Sequence, residues 1–241
     1  MNRRDYMENI KTTDKNKDKI QEYLDKGKFL YYHENKIREA FKYFDKALQL
    51  DKNFAETYLV KAKAHMGMFE VDEAEDCLKK YIKLVPNSVE AYLDLIEVYD
   101  EMADFQKALR YCNKLIKSDS KNPDLYFKKA GFYIYLGQIN RALACYNTCL
   151  KLKPDFYEAL CEKADLLRNM GQINEALRIY SNAIKVNDCE SEAYLGKAFI
   201  YKEMDDWENA LNFAKKAYEL TPDDEWYKSQ YMIMKDMVKI S

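Results

Sequence analysis

Six alanines stand 34 residues apart: Ala40, Ala74, Ala108, Ala142, Ala176 and Ala210. No insertion interrupts the spacing. Other columns keep the same step. Three residues before each alanine lies Ile37, Val71, Phe105, Ile139, Ile173 or Trp207, and seven after lies Ala47, Tyr81, Leu115, Cys149, Ala183 or Ala217. Two units even share the string Gly-Gln-Ile-Asn-x-Ala-Leu, beginning at Gly137 and Gly171. A fixed period of this length is the mark of a repeat architecture, in which each unit is one supersecondary element that cannot bury its own apolar face.

Each unit reads as two helices. Tyr126, Ala130 and Tyr133 keep helical spacing in the leading half of one unit, and Ile139, Ala142, Tyr146 and Leu150 keep it in the trailing half. Gly137 and Gly171 fall between the halves, where a left-handed residue ends the first helix at no steric cost to glycine. Asn35 and Asp205 hold that place in two other units and tolerate it. Phe69 and Ala103 do not fit, and Gly67 offers an earlier stop in the second unit. Pro86, Pro154 and Pro222 close trailing helices, and Asn122-Pro123 reads as a cap followed by a first-turn proline. The alanine column marks the closest approach of two helices, about 8–10 Å apart, where a larger side chain overpacks.

The expected fold is all-α: a right-handed α-solenoid of stacked antiparallel helix pairs, with a polar leader at residues 1–13, six units at 21–54, 55–88, 89–122, 123–156, 157–190 and 191–224, and a capping helix over 225–241. The pattern resembles the tetratricopeptide repeat, a 34-residue helix pair. With position 1 at Gln21, Ala55, Val89, Pro123, Tyr157 and Ser191, position 8 is Ala62, Ala130, Ala164 or Ala198 in four units. Position 11 is Tyr31, His65, Tyr99, Tyr133, Leu167 and Tyr201, and position 24 is aromatic at Phe44, Tyr146 and Tyr180. Lys28 and Ile96 depart from the small residue at position 8, and Cys112 from the aromatic at position 24. A large Ile96 beside a small Cys112 suggests volume compensation.

The resemblance implies a concave groove lined by positions 2, 5, 9, 12 and 13 of the leading helices. Of thirty residues there, twelve are acidic and three, Lys63, Arg168 and Lys202, are basic. The whole chain is near neutrality, with Lys+Arg 39 against Asp+Glu 41. Position 2 is acidic in all six units, which also suits a helix N-terminus. Without that column the bias is mild, except at Glu97, Asp100 and Glu101. The candidate contact residues are these three with Phe127, Ile134, Tyr135, Asp165 and Phe199. They suit a protein or peptide segment carrying basic and bulky apolar residues. The Lys and Asn clamp with which co-chaperones of the family grip an acidic chaperone tail is absent, since position 5 reads Asp25, Leu59, Leu93, Phe127, Cys161 and Leu195.

Catalytic, cofactor and metal motifs are lacking. His65 lies in an aromatic column and reads as a packing residue, and His33 stands alone at the surface. The six cysteines form no CxxC pair and read as reduced, small apolar residues. The charge balance argues against nucleic acid, no run is long enough to span a membrane, and the default compartment is the cytoplasm. The leading expectation is a non-catalytic scaffold that binds a segment in its groove. The alternative is an assembly subunit that associates through its ends, since the C-terminal helix leaves Met232, Ile233 and Met237 outside its packing stripe of Tyr227, Tyr231, Met234 and Val238.

Overall fold

The computed structural model describes the backbone of residues 3–240 and the side chains of residues 16–240. Among these residues all regular structure is helical: α1 (Arg3–Tyr32), α2 (Ile37–Leu50), α3 (Ala55–Met66), α4 (Val71–Leu84), α5 (Val89–Glu101), α6 (Phe105–Ser118), α7 (Pro123–Tyr135), α8 (Ile139–Leu152), α9 (Tyr157–Asn169), α10 (Ile173–Val186), α11 (Ser191–Glu203), α12 (Trp207–Leu220) and α13 (Glu225–Val238). From α3 on, each leading helix opens at position 1 of its unit. α1 is longer. It begins at Arg3, inside the stretch expected to be a polar leader, so the backbone of that stretch is helical.

The chain divides into two compact units, Met1–Leu115 and Ile116–Ser241. In the first, α1 packs on α2 and α3 on α4, while α2 and α4 each hand on to the next leading helix. Leu24, Leu30, Ala40 and Phe44 bury with Val60 of α3, so the core already crosses from one pair to the next. The second unit repeats the scheme through α7·α8, α9·α10, α11·α12 and α12·α13. Its core passes from Ala130, Ala142 and Tyr146 to Leu160, Ala164 and Tyr180, and on to Leu195, Ala210 and Met234. All six column alanines have no exposed surface. The fold is an all-α repeat solenoid.

The interhelical turns correct one expectation. Position 15 is left-handed in every unit: Asn35 at φ 52°, Phe69 at 59°, Ala103 at 54°, Gly137 at 68°, Gly171 at 74° and Asp205 at 57°. Phe69 and Ala103 therefore adopt the conformation that their side chains oppose. The cause is the pair of hydrogen bonds that closes the leading helix. Ala103 N–H donates to Asp100 C=O at 2.9 Å and Asp104 N–H to Tyr99 C=O at 2.8 Å, and the bonds from Phe69 and Glu70 to Met66 and His65 match them at 3.0 Å. Gly67 ends α3 one residue early, yet stays right-handed at φ −63°.

The turn is thus paid for in strain at two positions. Phe69 is 75% exposed and packs little. Phe69→Gly and Ala103→Gly are expected to stabilise the fold by ~0.5–1 kcal/mol each, the left-handed penalty less the extra unfolded-state entropy of glycine. Gly137→Ala and Gly171→Ala should cost ~1 kcal/mol each, because no atom lies within 4 Å of the added Cβ and only the backbone objects. Urea midpoints check both signs; a lower midpoint for Phe69→Gly would contradict the account.

Ile96 on α5 and Cys112 on α6 are both fully buried. The cap read at Asn122 is formed, and Ser88 adds a second. Asn122 accepts the Asp124 N–H at 3.0 Å with Pro123 in the first turn, and Ser88 accepts the Ala91 N–H at 3.2 Å.

Candidate functional site

Successive leading helices present the same columns edge to edge. Lys28 of α1 pairs with Glu56 at position 2 of α3, and Lys63 of α3 pairs with Glu90 at position 2 of α5. In the C-terminal unit Arg168 of α9 reaches Glu203 of α11 at 3.3 Å, and its guanidinium lies 5.4 Å above the ring of Phe199. Exposed ion pairs of this kind contribute at most about 1 kcal/mol. Their value here is geometric: they join positions 8, 9 and 12 of one leading helix to positions 2, 9 and 13 of the next. Two of the three basic groove residues are spent in these bridges.

In the N-terminal unit, Glu97, Asp100 and Glu101 line a shallow hollow of about 270 Å³ on α5. Glu97 and Asp100 are exposed and lie one helical turn apart. The same helix carries Asp94, a residue that sequence reasoning passed over because it lies at position 6, outside the groove columns. Its Oδ2 is buried without a hydrogen-bond partner. Burial pushes its carboxyl up to about 6, against the pull of Lys63 and with a push from Glu90 and Glu97.

The direction fixes a pH dependence. A carboxyl raised from 3.8 to about 6 holds its proton longer in the folded state. Its contribution to stability is therefore lost as pH rises through that window. Asp94→Asn removes the charge. The variant is expected to be more stable than the native chain at pH 7, on the order of 1 kcal/mol after screening of the part-exposed group. The gap should close as pH falls toward 3.8. Denaturation at several pH values checks this, and a constant gap would contradict it.

In the C-terminal unit the candidate residues divide by role. Tyr135 stands 69% exposed at the end of α7. Phe127 is half-buried, with its ring 5.1 Å from Phe156 and 6.0 Å from Tyr146, so much of it belongs to the core. Ile134 packs on the same core. Asp165 accepts the Tyr180 hydroxyl at 2.7 Å and an Arg168 N–H at 3.3 Å, so it braces the groove floor as well as facing it. Phe199 is half-buried under Arg168.

Two further acids join Asp165. Burial, then Asp165, raises the Glu162 carboxyl; burial, then Asp165, Glu162 and Glu158, raises that of Glu192. Arg168 is the cation in contact with this group, and it is shared with Glu203. Glu162 was missed because, like Asp94, it lies at position 6.

The remaining polar chemistry is structural. His65 is half-buried, with Nδ1 2.6 Å from Glu70 and its ring 4.5 Å from that of Phe41. Five cysteines are buried, and burial pushes the Cys149 thiol up to about 11 and the Cys161 thiol up to about 12. Protonated thiols at neutral pH are poor nucleophiles. Cys189 corrects the expectation that all six serve as apolar filler, since it is exposed. Among the described residues no group of three potential ligands could hold a metal ion, and no helix is long and apolar enough to cross a membrane.

The same architecture recurs in known proteins. Three family models, each described as tetratricopeptide repeat, match residues 31–97, residues 123–156 with 191–224, and residues 145–178. No curated protein sequence matches the chain significantly. Among solved structures, MamA protein is 20% identical, with a TM-score of 0.62 over 72% of this chain and 94% of that one. YrrB, described as a TPR protein with an unusual peptide-binding site, is 22% identical, with a TM-score of 0.59 over 77% and 96%. PilF of Pseudomonas aeruginosa is 15% identical, with a TM-score of 0.65 over 92% and 98%. At these identities the structures speak for the fold, and the family models, which together span most of the chain, speak for descent: the chain belongs to the tetratricopeptide repeat family.

Proposed function

We propose that the chain is a non-catalytic adaptor of the cytoplasm that takes a segment of another protein along the face of its leading helices. One observation carries the reading: bridges such as Lys63–Glu90 and Arg168–Glu203 set the same columns of neighbouring leading helices side by side, which makes a continuous strip in each unit. The strip keeps an acid excess after its own cations are spent. It also keeps exposed aromatic surface at Phe29 and Tyr135. A segment with Lys or Arg and bulky apolar residues suits that surface. An acidic chaperone tail does not. The peptide-binding site in the description of YrrB is a property of that protein and lends this reading support by analogy of fold. The free thiols suit a reducing compartment.

The test is charge reversal. Glu97→Lys, Asp100→Lys and Glu101→Lys together are expected to cut capture of basic partners from native lysate by tenfold or more while the helical circular dichroism stays unchanged. Equal capture by a folded variant would remove the electrostatic part of the reading. The second reading, assembly through the ends, draws on the exposure of Met232 and Ile233 on α13. Light scattering decides between them, since end-to-end assembly requires a dimer or larger species.

A further inference from the structure

α13 is in register with the leading helices. Glu225 lies 34 residues after Ser191, so α13 occupies the place of a seventh leading helix. Its packing agrees: Met234 at position 10 is fully buried, as is Ile200 at position 10 of α11, and the Tyr231 ring stacks on Tyr218 of α12 at 5.5 Å. The face that would meet a trailing helix has changed character. In four of the six complete pairs position 4 is Tyr, and in four position 11 is Tyr; such rings stack on the trailing helix, as Tyr92 and Tyr99 do on Tyr111 and Tyr201 does on Phe213. In α13 these positions are Lys228 and Lys235, both exposed, with Met232 between them. At positions 4 and 11 α13 thus presents charged residues where most leading helices present rings.

The groove columns of α13 change in the opposite sense. Position 2 is acidic in all six units and is Trp226 here; position 9 is Ile233 and position 13 is Met237. Trp226 is 56% exposed and Ile233 45%. The step that joins Lys63 to Glu90, position 9 to the next position 2, carries Phe199 to Trp226. The step that joins Arg168 to Phe199 carries Lys202 to Ile233. The strip thus runs from the acids of α9 and α11 onto an apolar end.

We propose that α13 is the last wall of the groove, and that α9, α11 and α13 together take a peptide whose Lys or Arg meets Glu162 and Glu192 and whose bulky apolar side chain seats on Trp226, Ile233 and Met237. The proposal rests on the adaptor reading and assigns its partner chemistry and its anchor. Charge complementarity selects the occupant. Glu158, Glu162 and Glu192 stand exposed around the half-buried Asp165, with Arg168 as the contacting cation; desolvation and then repulsion from neighbouring carboxylates raise the Glu162 and Glu192 carboxyls, against a hydrogen bond from Tyr146 at Glu162. A cation brought by a ligand relieves that repulsion. A second copy of the chain would instead place the Lys228 and Lys235 surface at the contact. Neighbouring leading helices about 8–10 Å apart correspond to roughly three extended residues at ~3.3 Å each. Basic residue and anchor are therefore about three to six residues apart.

The test uses the full chain with Trp207→Phe, a change to the residue that Phe105 already provides in the same column. Trp226 is then the single tryptophan. The probe is a synthetic tridecapeptide library with Lys or Arg fixed at the centre and all other positions mixed. Selected peptides are expected to carry Leu, Ile, Phe or Trp three to six residues from the centre and to shift Trp226 emission to shorter wavelength. Ile233→Ser with Met237→Ser should weaken them about tenfold, and Glu162→Gln with Glu192→Gln should weaken them similarly and flatten the salt dependence. Peptides that bind the Ile233→Ser, Met237→Ser variant as tightly as the parent overturn the anchor and leave the adaptor reading standing. A library that yields no binder, while charge reversal on α5 still abolishes capture of a native partner, does the same. No binder and no effect of charge reversal sink both. A dimer that Ile233→Ser and Met237→Ser dissociate shows that α13 seats a second copy and overturns the proposal.

Discussion

Tyr180→Ala is expected to destabilise the C-terminal unit by about 3–5 kcal/mol, the usual cost of emptying a large aromatic site in a core. The ring has no exposed surface and packs among Leu160, Ala164, Ala176 and Ala193, drawn from three helices. Collapse into the space is hindered because several of those neighbours are alanines, whose short side chains cannot reach across. The hydroxyl adds a second contribution, since it donates to Asp165 at 2.7 Å. Tyr180→Phe keeps the ring and loses only that bond, for about 1 kcal/mol, with Arg168 left as the remaining partner of Asp165. Urea denaturation followed by helical signal gives both values. A Tyr180→Ala cost below about 1.5 kcal/mol, well under the cavity range, would mean that the hairpins do not interlock here.

Gly196→Ala is the second large effect, and its sign is the point. In an exposed helix interior this change gains about 1 kcal/mol of helix propensity. Here the new Cβ would stand 2.3 Å from the Tyr180 ring. The ring is walled in and cannot swing away. Overpacking of about 1–3 kcal/mol or more outweighs the propensity gain, so the variant is expected to lose stability. Tyr180→Leu in the Gly196→Ala background should then cost at least 1 kcal/mol less than in the native one, a coupling typical of touching side chains. Gly27 repeats the arrangement in the N-terminal unit, with its Cβ position 2.4 Å from the Phe44 ring. Phe44 and Tyr180 share position 24, so the repeat uses one device twice: an absent side chain on a leading helix makes room for an aromatic on a trailing one. A Gly196→Ala protein more stable than the native chain would contradict this packing.

The fold was legible because its constraint is periodic. Ala142 and its five counterparts announce a close helix crossing by recurrence alone, and each was found without exposed surface. Gly27 and Gly196 gave no such signal. They lie at positions 7 and 6, do not recur, and gain their meaning from an aromatic on another helix. Phe69 and Ala103 were misread for a related reason. Local preference opposes a left-handed residue there, and the two hydrogen bonds that close each leading helix override it.

The candidate site was legible in its columns and less so in its chemistry. Glu97, Asp100 and Glu101 do gather around one hollow. The resemblance to the repeat family could not show that Phe127 is half committed to Phe156, that Asp165 braces Tyr180, or that the carboxyls of Asp94 and Glu162, one position outside the groove columns, are raised. Such roles depend on which side chains a neighbouring pair brings within reach, and a column read along one chain carries no record of that.

Site-specific photo-cross-linking tests the central claim most directly. Benzoylphenylalanine is placed singly at Glu97, Asp165 or Trp226 on leading helices, and at the exposed Asp76, Lys151 or Lys216 on trailing helices. With a captured partner bound, the account predicts adducts from the leading-helix positions and little from the trailing ones. Adducts arising chiefly from Asp76, Lys151 or Lys216 would place the partner on the opposite face and contradict it.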